Sequence, residues 1–181
     1  VNLFFEPMHA GGVGVDSATL LDCRGEVWYW GSSPGNINRS HNSAKIEPIS
    51  ISIPEKIMSV SCGNFHTIFL STNGSLWCLG SNSSQQLGFP SDQQKMESPL
   101  KLEGIPPMTS ISCSRFQSFC IDCDKNLWGF GSNRQNELGF EKVSKSPPRK
   151  IPFGTDVISV TAGGYHGFFF TSSGVIYAFG D

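Results

Sequence analysis

The side chains with the widest chemical reach in this sequence are His66 and His166, since an imidazole can act as acid, base or metal ligand. Other candidates are few. Cys120-Ile121-Asp122-Cys123 has the spacing of a redox or zinc pair. No second Cys or His pair stands at a matching distance, and in a strand residues three apart face opposite sides. Cys62, Cys78 and Cys113 fall among apolar residues and read as small buried hydrophobes, and Cys23 completes the six cysteines. Gly11-Gly12-Val13-Gly14 precedes a predicted strand, so it lacks the helix N-terminus that lets such glycines hold phosphate. Carboxylates are scattered. Lys142, Lys145, Arg149 and Lys150 form the only basic cluster, in a connector with Ser146-Pro147 that reads as a solvated loop. Asn38-Arg39-Ser40, Asn73-Gly74-Ser75 and Asn82-Ser83-Ser84 are glycosylation sequons of the kind that arise often by chance.

What positions these groups is a repeat. Four segments end alike: Val27-Trp28-Tyr29-Trp30-Gly31, Leu76-Trp77-Cys78-Leu79-Gly80, Leu127-Trp128-Gly129-Phe130-Gly131 and Ile176-Tyr177-Ala178-Phe179-Gly180. Their closing glycines lie 49, 51 and 49 residues apart. Val60, Ile111 and Val160 keep that register, as do Cys62, Cys113 and Ala162, and Pro48, Pro99 and Pro148. A period shared by unrelated positions marks a repeat architecture. In this register His66 and His166 are equivalent, with Gln117 in the third unit and Ser17 in the first. Those residue types share hydrogen bonding but not metal affinity, so the position reads as a buried polar tie between strands or blades. His9 and His41 lie outside the register and read as loop residues.

Within a unit the pattern is that of strands. Residues 57–62 and 67–70 are short, partly apolar runs, and Thr72-Asn73-Gly74 between apolar segments predicts a hairpin with a type I′ turn. No run is long enough for a helix, and glycines punctuate them all. Each unit is therefore a meander of three or four antiparallel strands. In the third strand Trp77 and Leu79 point one way, Leu76 and Cys78 the other, so both faces are apolar. A small sheet stacked between two similar sheets satisfies both faces, and radial repetition of small sheets is a propeller. Trp28, Trp77, Trp128 and Tyr177 are expected at equivalent, mostly buried places.

The Gly63-Asn64-Phe65-His66 segment, the apolar strand after it, the Asn-Gly turn and the Leu-Trp-x-x-Gly strand resemble the repeats of the regulator of chromosome condensation family. Residues 80–88 resemble that family's Gly-x-Asn-x-x-Gly-Gln-Leu-Gly stretch, with Gln85 in place of a glycine, and residues 131–139 are a weaker copy. The first connector lacks the Leu-Gly element, and Gly14 and Ser17 stand where Gly63 and His66 stand. The resemblance implies a seven-bladed β-propeller with about fifty residues per blade. It also implies a class of function. The namesake is an exchange factor for a Ran-type GTPase that docks on chromatin, and many relatives are binding platforms or regulatory modules beside another domain. The exchange factor wedges an inserted loop into its GTPase, whereas the connectors here keep the 49–51 spacing and leave no room for one.

The composition agrees with this frame. Among 181 residues, 15% are charged, with 13 Lys plus Arg against 15 Asp plus Glu, a formal charge of −2. That argues against a strongly basic nucleic-acid binder, and no apolar run is long enough to span a membrane as a helix. The chain starts at Val1 and ends at Asp181 after an apolar strand, and reads as a piece of a longer propeller. The expected fold is all-β, a partial β-propeller of about four blades in one repeat domain, with strand cores near 1–31, 50–80, 101–131 and 150–181. The expected role is a non-catalytic protein-interaction module. The alternatives are part of a guanine-nucleotide exchange factor, or a regulatory segment of a larger enzyme such as a ubiquitin ligase or kinase. No catalytic, cofactor or metal site is expected. The residues singled out are structural: Gly31, Gly80, Gly131, Gly180, His66, His166, Trp28, Trp77, Trp128 and Tyr177. The expected partner is a protein, a small GTPase being one candidate, with no small-molecule substrate, no membrane, and nucleic acid or chromatin without support in the sequence. Free thiols point to an intracellular setting, cytoplasmic or nuclear.

Overall fold

The computed structural model describes residues 8–15, 17–31, 48–152 and 156–180. Among them every regular element is a strand. The first blade holds β1 (Met8–Val13), β2 (Ser17–Asp22), β3 (Val27–Gly31) and β4 (Ile49–Ile51). The second holds β5 (Ile57–Cys62), β6 (His66–Ser71), β7 (Leu76–Ser81) and β8 (Lys95–Leu102). The third holds β9 (Met108–Cys113), β10 (Gln117–Asp122), β11 (Leu127–Asn133) and β12 (Val143–Lys150). The fourth holds β13 (Val157–Ala162), β14 (His166–Thr171) and β15 (Ile176–Gly180). Each sheet is an antiparallel meander in chain order, so the molecule is a partial propeller of four blades.

The structure adds an outer strand that the sequence hides. Most of β8 and β12 falls between the expected strand cores, and the two strands take in Pro99, Pro147 and Pro148. Both are the outermost strands of their sheets, where a missing N–H interrupts no ladder. The basic cluster is corrected accordingly: Lys145, Arg149 and Lys150 lie on β12, not in a loop. His9 is corrected likewise, being the extra residue of a bulge in β1 where Met8 pairs Asp22 and Ala10 pairs Leu21. Gly11 to Val13 close β1, and the segment is followed by a strand, β2, as expected. His41, Asn38 and the first connector lie outside the described residues.

The hairpin between the second and third strands also differs from expectation. In the second blade Gly74 N–H donates to the Ser71 carbonyl at 3.0 Å, and Ser71 N–H to the Ser75 carbonyl at 3.0 Å. Gly74 has φ of 85°, while Asn73 keeps a negative φ. A type I′ turn needs two left-handed residues. One left-handed residue after a type I turn makes a three-residue loop with a glycine bulge. The same bonds recur at Asp22/Gly25, Asp122/Lys125 and Thr171/Gly174, with Lys125 accepting φ of 61°. A side-chain acceptor at the head of the turn holds it: Asp122 Oδ1 takes the N–H of Asp124 at 2.9 Å and of Asn126 at 2.8 Å.

The two-faced third strand is seen directly. Leu76 and Cys78 join Ile68 and Leu70 in a core shared with Met108, Cys113, Cys120 and Phe130 of the third blade. Leu79 and Phe69 join Leu21, Val27 and Tyr29 of the first blade, with Trp77 packed against them. Phe119, Ile121 and Leu127 repeat the pattern against Val160, Phe169 and Phe179 of the fourth. Each such side chain contributes about 2 kcal/mol when fully buried. The loop after the third strand inserts one more apolar group, Leu87 in one interface and Leu138 in the next. Asn82 shapes that loop, accepting Leu87 N–H at 3.0 Å and donating to Gln93 O at 2.6 Å, and Asn133 does the same with Leu138 N–H at 2.9 Å and Glu141 O at 2.9 Å. Gln85 and Asn136 take φ of 60° at the place where the resembling motif has glycine. Asn82 is fully buried, so its sequon is closed in the folded chain, whereas Asn73 is exposed.

Candidate functional site

Each blade turns from its first to its second strand in the same way. Gly14 N–H donates to Ser17 O at 2.7 Å, Gly63 to His66 at 2.8 Å, Ser114 to Gln117 at 2.9 Å and Gly163 to His166 at 2.8 Å. The four residues equivalent to His66 therefore begin β2, β6, β10 and β14, each opposite a closing glycine: Ser17 with Gly31, His66 with Gly80, Gln117 with Gly131 and His166 with Gly180. The closing residue must be glycine for two reasons. Gly80 has φ of 105°, and a Cβ there would overlap the Phe65 carbonyl oxygen.

His66 is buried and ties two blades. Its Nε2 lies 2.9 Å from Ser118 Oγ of the third blade. Ser118 donates its own proton to the Gln86 carbonyl at 2.7 Å, so Nε2 carries the hydrogen and Ser118 accepts it. Burial lowers the imidazole pKa to about 4, which leaves the ring neutral at pH 7. The ring rests on Gly63, where a Cβ would overlap its Cε1 atom. The equivalent positions diverge because the next blade does. Gln117 has Gly167 where His66 has Ser118. A Cβ at Gly167 would overlap the Phe179 ring, so no side-chain partner fits there. Gln117 instead turns back, its Oε1 accepting from Ser114 Oγ and from Phe116 N–H at 3.2 Å. His166 is exposed and lies edge-on to Phe168 at 6.2 Å.

The remaining singled-out residues are placed as follows. Trp28, Trp77, Trp128 and Tyr177 occupy equivalent sites, each opposite the fourth residue of the second strand. They are half-buried rather than mostly buried, and Tyr177 is 44% exposed. Trp77 and Trp128 lie at the margin of the inter-blade cores, packed against them without being enclosed. Trp128 Nε1 reaches the hairpin itself, donating to Asp122 Oδ2 at 2.8 Å. Cys120 is buried and Cys123 exposed, so the pair does not converge. Burial pushes the Cys113 thiol up to about 12 and raises Cys78 and Cys120 as well, which keeps them protonated and unreactive. Among the described residues no three His, Cys, Asp or Glu side chains gather as a metal site would require.

One constellation was not singled out in the sequence. The turn residue before Ser17's equivalents is Phe65, Phe116 and Tyr165 in successive blades, recurring at spacings of 51 and 49. The Phe65 and Phe116 ring centroids are 6.1 Å apart. The Arg115 guanidinium stands 5.2 Å from the Phe116 centroid and 5.4 Å from that of Tyr165, and donates to the Tyr165 hydroxyl. Backbone bonds join the turns of the first three blades, Val15 N–H to Asn64 O and Asn64 N–H to Arg115 O, both 3.3 Å, and the Arg115 side chain makes the link to Tyr165. Arg115 and Tyr165 are exposed and both Phe rings half-buried. The result is a stiff aromatic and cationic ridge crossing three blades on one end of the sheets. The repeat spacing of the aromatics was the signal available for it.

Comparison with known proteins gives the same frame. Family models for the regulator of chromosome condensation (RCC1) repeat match residues 57–86, 73–121 and 124–170. The Protein RCC2 homolog of Xenopus laevis is 29% identical over 143 residues, covering 75% of this chain and 27% of the relative. Human "Probable E3 ubiquitin-protein ligase HERC3" is 32% identical over 132 residues, 70% of this chain and 12% of the relative. Two crystal structures of yeast RCC1 (Prp20) superpose well. The one bound to Kap60 gives a TM-score of 0.83 at 18% identity over 99% of this chain and 45% of that one. The other, from Saccharomyces cerevisiae and described with its binding properties to Gsp1p and histones, gives 0.75 at 21% identity over 92% and 42%. The chain thus spans about a quarter of the RCC2 homolog and under half of either propeller.

Proposed function

The chain belongs to the regulator of chromosome condensation repeat family, and from that membership we propose that it serves as a non-catalytic protein-interaction module. The observation that carries this reading is the ridge of Phe65, Phe116, Arg115 and Tyr165. Arginine and aromatic side chains supply most binding energy at protein interfaces. Here Phe65 and Arg115 stand on turns joined by a backbone hydrogen bond, and Arg115 is held between the Phe116 and Tyr165 rings, so less conformational entropy remains to be lost on docking. Ser118, in contact with His66, is buried and gives its proton to the Gln86 carbonyl rather than to the imidazole, so that pair is not an activated nucleophile. An intracellular setting, cytoplasmic or nuclear, fits the six free cysteines, of which Cys78, Cys113 and Cys120 are buried.

A second reading is part of an exchange factor for a small GTPase, favoured by the likeness to a propeller described with its binding to Gsp1p. Likeness to HERC3 favours a third, a regulatory segment beside a ligase domain. Nucleotide release separates the first two. A Ran-type GTPase loaded with fluorescent GDP is mixed with the chain and release is followed in time. Release at the intrinsic rate is expected, because exchange requires a surface that prefers the nucleotide-free GTPase. A heat-sensitive acceleration would replace the scaffold reading with the exchange-factor one.

A further inference from the structure

We propose that the outer edge of the third blade, β12 with Lys142 just before it, docks an acidic, extended segment of a partner protein. The equivalent strand of the second blade shows what an ordinary edge looks like here. On β8, Lys95 pairs with Glu97 at 2.9 Å, and Lys101 reaches Glu55 at 3.0 Å. Residues 141–150 carry four cations and one carboxylate, Glu141, and among the described residues no ion pair engages any of the four. The charge is organised by the backbone. Ser132 pairs Lys145, Gly131 pairs Ser146, Gly129 pairs Arg149 and Trp128 pairs Lys150, with a bulge between Gly131 and Gly129. Lys145 and Lys150 are five apart and would face opposite sides of a regular strand. The bulge returns them to one face. Arg149 sits on the other face, its guanidinium 4.6 Å from the Phe140 centroid, so it is held in place.

Cations and prolines on an edge also deter strand pairing. That role accounts for Pro147 and Pro148, which already remove two ladder donors. It does not account for the unpaired charge, since β8 manages its edge with one proline and neutralised lysines. With those donors gone, recognition falls to the side chains, and Lys145 and Lys150, about 13 Å apart by the four rises of β11 between their partners, suit carboxylates spaced along an extended chain. A protein segment fits better than nucleic acid. The chain is net negative, and of the rings beside the strip Phe140 carries Arg149 over its face, while half-buried Trp128, opposite Lys150, has its Nε1 held by Asp122.

The test is fluorescence anisotropy of a labelled Asp/Glu-rich peptide with the full chain at low and physiological salt. Binding that weakens with salt is expected. The variant K145E/R149E/K150E should bind roughly tenfold more weakly, the sum of several rim charge contacts. Lys95→Glu on β8 should leave affinity within about twofold. Circular dichroism checks the fold, and K145Q/K150Q, milder at the same positions, must show an intermediate loss. Three results would overturn the proposal: no binding at low salt, equal binding to both reversal variants, or tighter binding of a single-stranded oligonucleotide of matched charge.

Discussion

The third and fourth blades present the same sheet face to opposite fates. In register, Phe119, Ile121 and Leu127 of the third correspond to Phe168, Phe170 and Ile176 of the fourth. The first three are at most 2% exposed, because the fourth blade covers them. The second three are 43%, 37% and 59% exposed. Residue type is therefore set by the repeat, whereas burial is set by the neighbour. The comparison extends to polar groups. His66 is buried because Ser118 of the next blade receives it, and its equivalent His166 is exposed.

The largest expected difference lies between two phenylalanine variants. Phe119→Ala empties a filled interface and should cost about 3–5 kcal/mol, while Phe168→Ala should cost under about 1 kcal/mol. Urea unfolding of both measures this. Equal losses would mean that the fourth blade's face is covered in solution. The same face should drive association, so light scattering of the chain should detect species larger than a monomer, and F168S/I176S should reduce them.

Acid offers a sharper test of the histidine pair. His66 titrates at about 4 in the folded chain against 6.5 when unfolded. Between those values the unfolded state binds more protons, so stability is fully present above about pH 6.5 and is lost as pH falls toward 4. The loss attributable to this group is about 3 kcal/mol. Comparing the chain with His66→Gln at pH 7 and pH 4.5 isolates it, because glutamine does not titrate. A loss smaller than that of Phe119→Ala is expected at Ser118→Ala, which strands the His66 N–H and should cost about 1–3 kcal/mol at pH 7. A neutral result would show that His66 finds another acceptor.

Much of the architecture was legible from spacing alone. Closing glycines, apolar third strands and the 49–51 period specify four similar sheets, because a small sheet with two apolar faces has few ways to bury both. The equivalence of His66 and Gln117 was also readable. What each does was not, since the partner that decides it, Ser118 or Gly167, belongs to the neighbouring blade some fifty residues on. The ridge was half legible: aromatics recur at 65, 116 and 165, but only the fold sets Arg115 between two of them.

Local sequence determined the elements, their order and which side chains face each way, because strand alternation and glycine conformations act over a few residues. It misjudged the outer strands, since a proline that forbids a central strand is harmless at an edge, and being at an edge is a tertiary property. It assigned two left-handed residues to the Asn73-Gly74 turn, where the strand pairing uses one. Only the packed structure decided which apolar faces are covered, which histidine is neutral and buried, and which lysines remain unpaired. Burial and pairing depend on the distance to groups far away in the chain, and that distance exists only once the sheets have stacked.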